Sequence, residues 1–410
     1  MDSASSSTDV PRHEGSSRPF TARSTSARAD QAKDRYWLHL LLFVLTLVST
    51  VYAGAQWAGR SLYYEQAGHW AIVLDGLRYA VPLLLFLTVH EFGHYFAARY
   101  HRINTSLPYY IPFPFNGIGN FGAVISIREP IPSTRKLFDV GAAGPLAGFV
   151  VAFGVLLYAM ATLPSPEYLL DLGGHEALKA HIQQHGTFPD AMQSAEGGEQ
   201  TTQIVIGNTL LYWLLAQVFP NVPPMYEMYH YPVLFAGWLG LFFTALNLLP
   251  VGQLDGGHIL YALFGRKWHG RLARAFIIVL LISGSIGFMD TVAPALADMT
   301  PWGGAVAWAL LGGILYFYLY RTFRGAHQYI APVLLGLFAI TAVSTVVPVM
   351  ASYLGYSGWL VWTLLIVLFI RVEHPPVVRP NALTPRRRWL GYASIAIFIL
   401  CFSLRPIYIA

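Results

Sequence analysis

Long runs of apolar residues recur along the chain and are separated by shorter polar segments. A helix needs roughly 20 apolar residues to cross the hydrocarbon core of a bilayer. Nine stretches reach or approach that length, which predicts an all-α polytopic membrane protein with about nine transmembrane helices. They cover residues 37–57, 75–99, 137–162, 231–250, 272–289, 303–320, 330–350, 357–371 and 389–405. A further apolar run at 204–219 lies between polar segments and predicts an interfacial helix.

Composition supports a membrane protein rather than a soluble one. Of the 410 residues, 55% are hydrophobic and only 11% are charged, whereas ordinary soluble domains carry about 25% charged residues. Residues 1–36 differ from the rest because they are rich in Ser, Arg and Asp and lack apolar periodicity. This composition predicts a disordered cytoplasmic tail. The lone cysteine, Cys401, excludes a disulfide within one chain.

The net charge of +5 follows the positive-inside rule and does not indicate a nucleic-acid partner. With the N-terminus in the cytoplasm, 22 of the 26 Lys and Arg residues fall on the cytoplasmic side. The same topology places the C-terminus and the acidic loop 163–229 outside. The tail contains acidic residues, in which transit peptides are poor. We therefore expect a multi-pass protein of a bacterial inner membrane. The four basic residues left outside are Arg60, Arg78, Lys179 and Arg405.

One predicted span contains His90-Glu91-Phe92-Gly93-His94, an H-E-x-x-H motif. Residues i and i+4 of a helix lie on one face, so His90 and His94 can bind a single metal ion. Glu91 lies between them, where a carboxylate can take a proton from a water that the metal activates. Ionisable side chains are costly in hydrocarbon. The motif therefore indicates hydrolysis carried out within the bilayer.

A catalytic zinc site has three protein ligands and an open position for water, so a third ligand is needed. The candidate is Asp255, which follows Pro250 and Gly252 at a break after the apolar stretch 231–250. Irregular backbone at membrane depth is tolerated where it is buried or lines a watery cavity. On the charge-based topology, Asp255 and the H-E-x-x-H motif reach the same depth near the cytoplasmic side.

Together these motifs resemble those of the site-2 protease family of intramembrane zinc metalloproteases. The family's H-E-x-x-H matches residues 90–94, and its N-x-x-P-x-x-x-L-D-G matches residues 247–256. The run Gly141-Ala-Ala-Gly144-Pro145-Leu146-Ala147-Gly148 is similar to the small-residue motif on the intervening core helix. The resemblance covers roughly residues 75–265, which corresponds to the family's three-helix catalytic core.

The resemblance implies one Zn²⁺ per chain, held by His90, His94 and Asp255, with Glu91 as the catalytic base. It makes Asn247 the candidate to hydrogen-bond the substrate backbone or the developing oxyanion. The substrates implied are transmembrane segments of membrane proteins, cut near the cytoplasmic side in regulated intramembrane proteolysis.

The expected domain order follows from these boundaries. Residues 37–74 form the first transmembrane helix and an outer loop, residues 75–265 the catalytic core, and residues 266–410 the C-terminal transmembrane helices. Many family members insert a PDZ domain, which needs about 80–100 residues. The loop at 163–227 has only about 65 residues. We therefore expect a member without a PDZ domain.

Residues 108–132 contain a Gly/Asn turn followed by strand-forming residues. The family has a re-entrant β-hairpin at this place, beside the metal. A transmembrane helix resists proteolysis because its carbonyls are already hydrogen-bonded. Unwinding a substrate onto residues 121–127 by strand addition would present its peptide bond in extended form. Plain loop packing is the alternative interpretation.

Other features have competing interpretations. His258 is either a partner of Asp255 or a helix-end histidine, and His374 is either near the cleft or a solvated loop residue. Gly144 and Gly148 indicate close helix packing. The whole chain is alternatively a transporter, although no internal repeat supports this. A silent homologue with a structural metal site is the remaining alternative, and the intact Glu91 argues against it.

Overall fold

The computed structural model describes residues 35–115, 117–189 and 204–409. The predicted tail at 1–36 lies outside the described residues, except for its last two positions. The described chain is mostly helical and contains two small antiparallel sheets, as expected for a helical membrane protein with a hairpin.

Three long apolar helices in the N-terminal half correspond to the first three predicted spans. They are α1 (Tyr36–Ala58), α3 (His69–Tyr100) and α4 (Thr134–Ala161), with a short α2 (Ser61–Ala67) between the first two. The Ser133 hydroxyl accepts a hydrogen bond from a backbone N–H in the first turn of α4. Such a cap satisfies a free donor and fixes where the helix begins.

The predicted hairpin consists of β1 (Tyr109–Phe113) and β2 (Gly119–Val124), which pair antiparallel. Gly119 has a φ of +88°, and a Cβ there would lie 2.5 Å from the backbone of Thr50 in α1. The Ser49 hydroxyl donates to the Gly119 carbonyl over 2.6 Å. Glycine at this position therefore allows the turn of the hairpin to lie directly on α1.

The segment that follows α4 does not contain the predicted interfacial helix at 204–219. Instead, Ile204–Ile206 is a strand, β3, and only Leu210–Ala216 is helical, as α6. Gly207 lies between them. Glycine is needed at this position, because a Cβ there would meet the backbone of Arg405. The prediction of one helix was therefore wrong. The segment's other elements are the 3₁₀ helices Pro166–Asp171 and Met228–His230 and helix α5 (Glu176–His185).

Helices α7 (Pro232–Asn247) and α8 (Asp255–Met299) are separated by the predicted break. Gly252 has a φ of +55°, and its N–H donates to the Val372 carbonyl over 3.0 Å rather than to a helix carbonyl. Helix α8 contains a second irregularity at Gly265, whose φ is 76°. The predicted span at 272–289 is therefore part of a longer, bent helix.

The C-terminal helices only partly match the predicted spans. By length and composition, six described helices can cross a membrane, or seven if the pair Pro348–Leu354 and Gly358–Ile370, bent by 47°, counts as one span. Helix α7 has only 16 residues. The predicted count of nine is therefore not confirmed. The remaining elements are α9 (Gly303–Thr322), α10 (His327–Val346), α11 (Pro348–Leu354), α12 (Gly358–Leu365), the π-helical turn Ile366–Ile370, α13 (Pro385–Cys401) and β4 (Ile407–Ile409), which pairs with β3.

Helices α3, α4 and α7 pack against one another through small residues. A Cβ on Gly93 of α3 would lie 2.7 Å from the Ala143 carbonyl oxygen of α4. A Cβ on Gly240 of α7 would lie 2.7 Å from the Ala152 Cβ of α4. Because glycine lets these backbones approach closely, the histidine side chains of α3 come within reach of α4 and of the end of α7.

Candidate metal centre

The structure brings together the three ligand candidates, His90, His94 and Asp255, which we call the helix-embedded cluster. The two histidines lie one turn apart on α3, and Asp255 is the first residue of α8. The Asp255 Oδ2 atom lies 3.2 Å from His94 Nε2 and 3.6 Å from His90 Nε2. The two Nε2 atoms are 3.1 Å apart. Both imidazoles are buried.

The two Nε2 atoms and the Asp255 Oδ2 atom are arranged as ligands of a divalent cation rather than as hydrogen-bond partners of one another. The His94 Nδ1–H donates to the Val140 carbonyl over 2.7 Å, so in the neutral ring His94 Nε2 carries a lone pair. That lone pair faces the carboxylate oxygen of Asp255. Tetrahedral zinc with bonds of about 2.0–2.2 Å holds its ligand atoms about 3.4 Å apart. The separations of 3.1–3.6 Å match this spacing, and the donor types are ones that zinc prefers.

Two glycines on α4 make room for the imidazoles. A Cβ on Gly144 would lie 2.1 Å from His94 Nε2, and a Cβ on Gly148 would lie 3.1 Å from His90 Nδ1. The interpretation of this pair as a close-packing motif is therefore correct. The sequence did not reveal that the packing partners are the candidate ligands themselves.

Glu91 lies beside the cluster, with Oε1 3.9 Å from His90 Nε2. Its carboxylate also interacts with the backbone N–H of Ile125, just beyond β2. The side chain is only 7% exposed. A carboxylate in this position can accept a proton from a water located at the cluster, and it connects the cluster to the hairpin.

Asn247 is the last residue of α7, and its Nδ2 atom lies 3.3 Å from His90 Nε2. The break after α7 therefore places this amide at the cluster. An amide N–H can donate to a carbonyl oxygen bound nearby, which is the chemistry that the predicted role requires.

His258 and His374 contact each other, with His258 Nδ1 2.9 Å from His374 Nε2. The sequence leaves open whether His258 is a partner of Asp255, and in the structure His258 hydrogen-bonds His374. Burial lowers the pKa of His374 below its ordinary value. A neutral imidazole has one donor and one acceptor nitrogen, so two neutral histidines can share this hydrogen bond. The segment at 372–376 thus reaches the first turn of α8.

Sequence reasoning missed a second group of candidate ligands. His175, Glu227 and His230 also bring three ligand atoms within 4.8 Å of one another. We call them the loop cluster. The available signal was the spacing Glu227-x-x-His230, which places two candidate ligands on one side of a single helical turn. Glu227 lies in the acidic loop 163–229, where this spacing does not stand out among the other carboxylates.

The fold and the helix-embedded cluster define an integral membrane protein with a His₂-carboxylate centre among apolar helices. Residues 78–288 match the model of peptidase family M50, and this chain belongs to that family. The resemblance to site-2 proteases is thereby confirmed. The matched range contains all five residues selected from the sequence.

Among curated proteins, the chain is similar to probable zinc metalloproteases named chloroplastic. It is 28% identical to EGY1 of Oryza sativa subsp. japonica over 57% of this chain and 38% of that protein. It is 31% identical to EGY2 of Oryza sativa subsp. indica over 52% and 34%, and 28% identical to EGY1 of Arabidopsis thaliana over 57% and 40%. The chain thus spans 34–40% of these relatives' lengths. These relatives are named chloroplastic, so they do not support the expected location in a bacterial inner membrane.

Proposed function

We propose that this protein is an intramembrane zinc endopeptidase that hydrolyses peptide bonds within transmembrane segments of other membrane proteins. The observation that carries the proposal is the convergence of two imidazole nitrogens and one carboxylate oxygen inside the helix core, with Glu91 beside them. Family membership and the names of the relatives agree with it. The count of one catalytic zinc per chain is part of the proposal.

In this proposal, His90, His94 and Asp255 hold the ion. A zinc ion bound there would activate a water and polarise the scissile carbonyl. Glu91 accepts a proton from the attacking water and passes it to the leaving amine. Asn247 donates a hydrogen bond to the substrate backbone or to the developing oxyanion. Burial strengthens these interactions, because few waters compete with them.

The hairpin supplies a place where an unwound substrate can pair. Within the described residues, β1 pairs with one edge of β2, and Phe121 and Val124 are 61% and 50% exposed. Ile125, next to β2, interacts with Glu91. A substrate strand added at 121–127 would therefore run past the proposed base. Single proline substitutions at these positions remove N–H donors, and cleavage that tolerates all of them would contradict strand addition.

Charge distribution supports cleavage near the cytoplasmic side. The basic segment 99–136 begins at the end of α3 that carries His94, residues 266–274 lie within α8 just after the break at Gly265, and Arg387 in segment 371–388 donates to Asp139 near the start of α4. Short loops rich in Lys and Arg stay in the cytoplasm. Labelling of single cysteines placed in these segments and in α5, in sealed vesicles, tests this orientation directly.

The decisive experiment compares the wild type with Glu91→Gln. Both are purified as full chains, reconstituted in liposomes and supplied with a tagged single-pass membrane protein. Loss of the proposed base should lower cleavage by about 10²–10⁴-fold, while bound zinc stays unchanged because the three ligands remain. The matched control is Glu65→Gln, an exposed glutamate on α2, which should retain full activity.

Two results would contradict the proposal. One is cleavage that persists in Glu91→Gln, because Glu91 would then not be the catalytic base. The other is a folded wild type that neither holds zinc nor cleaves after zinc is added, which would favour a silent homologue. Flux of a solute without cleavage would favour the transporter alternative.

A further inference from the structure

The loop cluster lies outside the membrane-spanning helices, in the segments that connect α4 to α7. Glu227 Oε2 lies 3.6 Å from His230 Nε2 and 3.9 Å from His175 Nε2. The Glu227 side chain is 1% exposed, and His230 is 6% exposed. Two segments that are distant in sequence, one with His175 and one with Glu227 and His230, therefore direct three ligand-type atoms at one point.

The ring orientations leave a lone pair on each nitrogen that faces this point. His230 Nδ1 donates to the Trp57 carbonyl over 2.9 Å, and His175 Nδ1 lies 3.3 Å from the Gly173 carbonyl. A carbonyl can only accept, so each Nδ1 carries the hydrogen in a neutral ring and each Nε2 is an acceptor. Metal-bound histidines are commonly oriented by such a carbonyl partner.

The facing atoms lack hydrogen-bond partners. Both Glu227 Oε2 and His230 Nε2 are buried without one. A buried polar atom without a partner costs free energy, so the arrangement calls for a cation, a proton or a water between these atoms. Burial raises the pKa of the Glu227 carboxyl to about 8, which makes the neutral acid the alternative. However, 3.6 Å between Glu227 Oε2 and His230 Nε2 is too long for an O–H donor to bond a nitrogen.

We propose that His175, Glu227 and His230 form a second zinc site, which is structural rather than catalytic. Ligand atoms around tetrahedral zinc stand about 3.4 Å apart. The separations of 3.6 Å and 3.9 Å need only small side-chain adjustments to reach that value. Two imidazoles and a carboxylate suit Zn²⁺ better than Mg²⁺ or Ca²⁺, which prefer oxygen ligands. Water would complete the coordination, so the ligand count alone is that of an open site and the structural role rests on the segments that the ion would join.

The structural role follows from the segments that the ion would join. His175 precedes α5, Glu227 precedes the 3₁₀ turn before α7, and His230 is the last residue of that turn. Gly59, just after α1, has a φ of +65°, and a Cβ there would lie 3.2 Å from the His230 ring. The ion would therefore tie the connecting segments to the ends of α1 and α7, independently of the proposed peptidase chemistry.

The test counts zinc in the purified full chain, produced with an affinity tag free of histidine and saturated with zinc before dialysis. We expect two equivalents in the wild type and one in His175→Ala/His230→Ala. We also expect one in His90→Ala/His94→Ala, so a failure of either site is separately visible. An unchanged count in His175→Ala/His230→Ala would overturn the proposal.

The matched control removes a different histidine pair from the same segment. His181 and His185 lie one turn apart on α5, with ring centroids 4.6 Å apart, and can attract surface zinc. His181→Ala/His185→Ala should keep both equivalents. Loss of one equivalent in this variant, but not in His175→Ala/His230→Ala, would assign the ion to the surface pair and overturn the proposal.

A second measurement covers the case in which the alanine variant misfolds. In a His90→Ala/His94→Ala background, added Co²⁺ should show the visible absorption of a tetrahedral site. The additional substitution Glu227→Gln keeps the side-chain size and removes the anionic ligand. It should abolish this absorption. Absorption that is missing before Glu227→Gln is introduced, or that survives it, would overturn the proposal.

Discussion

The helix-embedded cluster and the loop cluster contain the same types of ligand atom in different surroundings. In the former, His90, His94 and Asp255 come from two long helices. In the latter, His230 and its partners come from a 3₁₀ turn and the residue before α5. Each cluster has a histidine whose Nδ1 donates to a backbone carbonyl, so each directs Nε2 inward in the same way.

Neighbouring side chains make the difference between the two clusters. Glu91 and Asn247 lie beside the helix-embedded cluster, where they can move a proton and bind a carbonyl. At the loop cluster, the imidazoles contact backbone carbonyls, Gly59 and the Tyr229 ring instead. Similar ligand sets can therefore support hydrolysis or hold segments together, depending on what else reaches the ion. The predictions below test this contrast.

The largest contrast is expected between Asp255→Asn and Glu227→Gln. Each removes one anionic ligand with little change in size, so each should lose one zinc equivalent. Only Asp255→Asn should also lose cleavage, by more than the roughly 10–100-fold that an outer-shell change costs. Initial cleavage rates and zinc content of both variants check this. Equal loss of cleavage in both would show that the loop cluster is not merely structural.

A large effect is also expected from Gly144→Ala on α4. The new Cβ would lie 2.1 Å from His94 Nε2, so the imidazole has to leave its position. Zinc at the helix-embedded cluster and cleavage should both be lost, while zinc at the loop cluster remains. Gly154→Ala on the same helix is the control, because a Cβ there would have no atom within 4 Å. Similar behaviour of the two variants would mean that helix stability, not space for His94, explains the result.

A smaller effect is expected from Asn247→Ala. Loss of a donor to the developing oxyanion should lower the turnover number by about 10²-fold. Zinc content should stay at the wild-type value, since the amide is not among the proposed ligands. Steady-state kinetics with the single-pass substrate and zinc analysis check both parts. Lost zinc would instead make Asn247 a residue that holds His90 in place.

The smallest effect is expected from Gly59→Ala beside the loop cluster. Gly59 and Gly186 have φ values of +65° and +67°, so alanine is strained at both. Each substitution should cost about 1–2 kcal/mol. Only Gly59→Ala also pushes on the His230 ring, because a Cβ on Gly186 has no atom within 4 Å. The unfolding midpoint of Gly59→Ala should therefore fall below that of Gly186→Ala when zinc is present. The gap should close after chelation; a gap that persists would contradict a role for zinc.

Sequence spacing was sufficient to select the helix-embedded cluster. His90 and His94 share a face because helices repeat every 3.6 residues. Asp255 could be selected because Pro250 and Gly252 interrupt the helix just before it, at membrane depth. Helix count and the segment at 204–219 were harder to predict. Apolar composition does not distinguish a helix such as α6 from a strand such as β3, which forms because β4 pairs with it.

The sequence by itself determined the membrane class, the family motifs and the residues that face one another within a single helix turn. Tertiary structure decided which backbone carbonyls orient the imidazoles, which glycines make room for them, and that the Glu227-x-x-His230 turn meets His175. The physical reason is range: helical periodicity and chain breaks act over a few residues. A ligand set drawn from several segments exists only after those segments have packed.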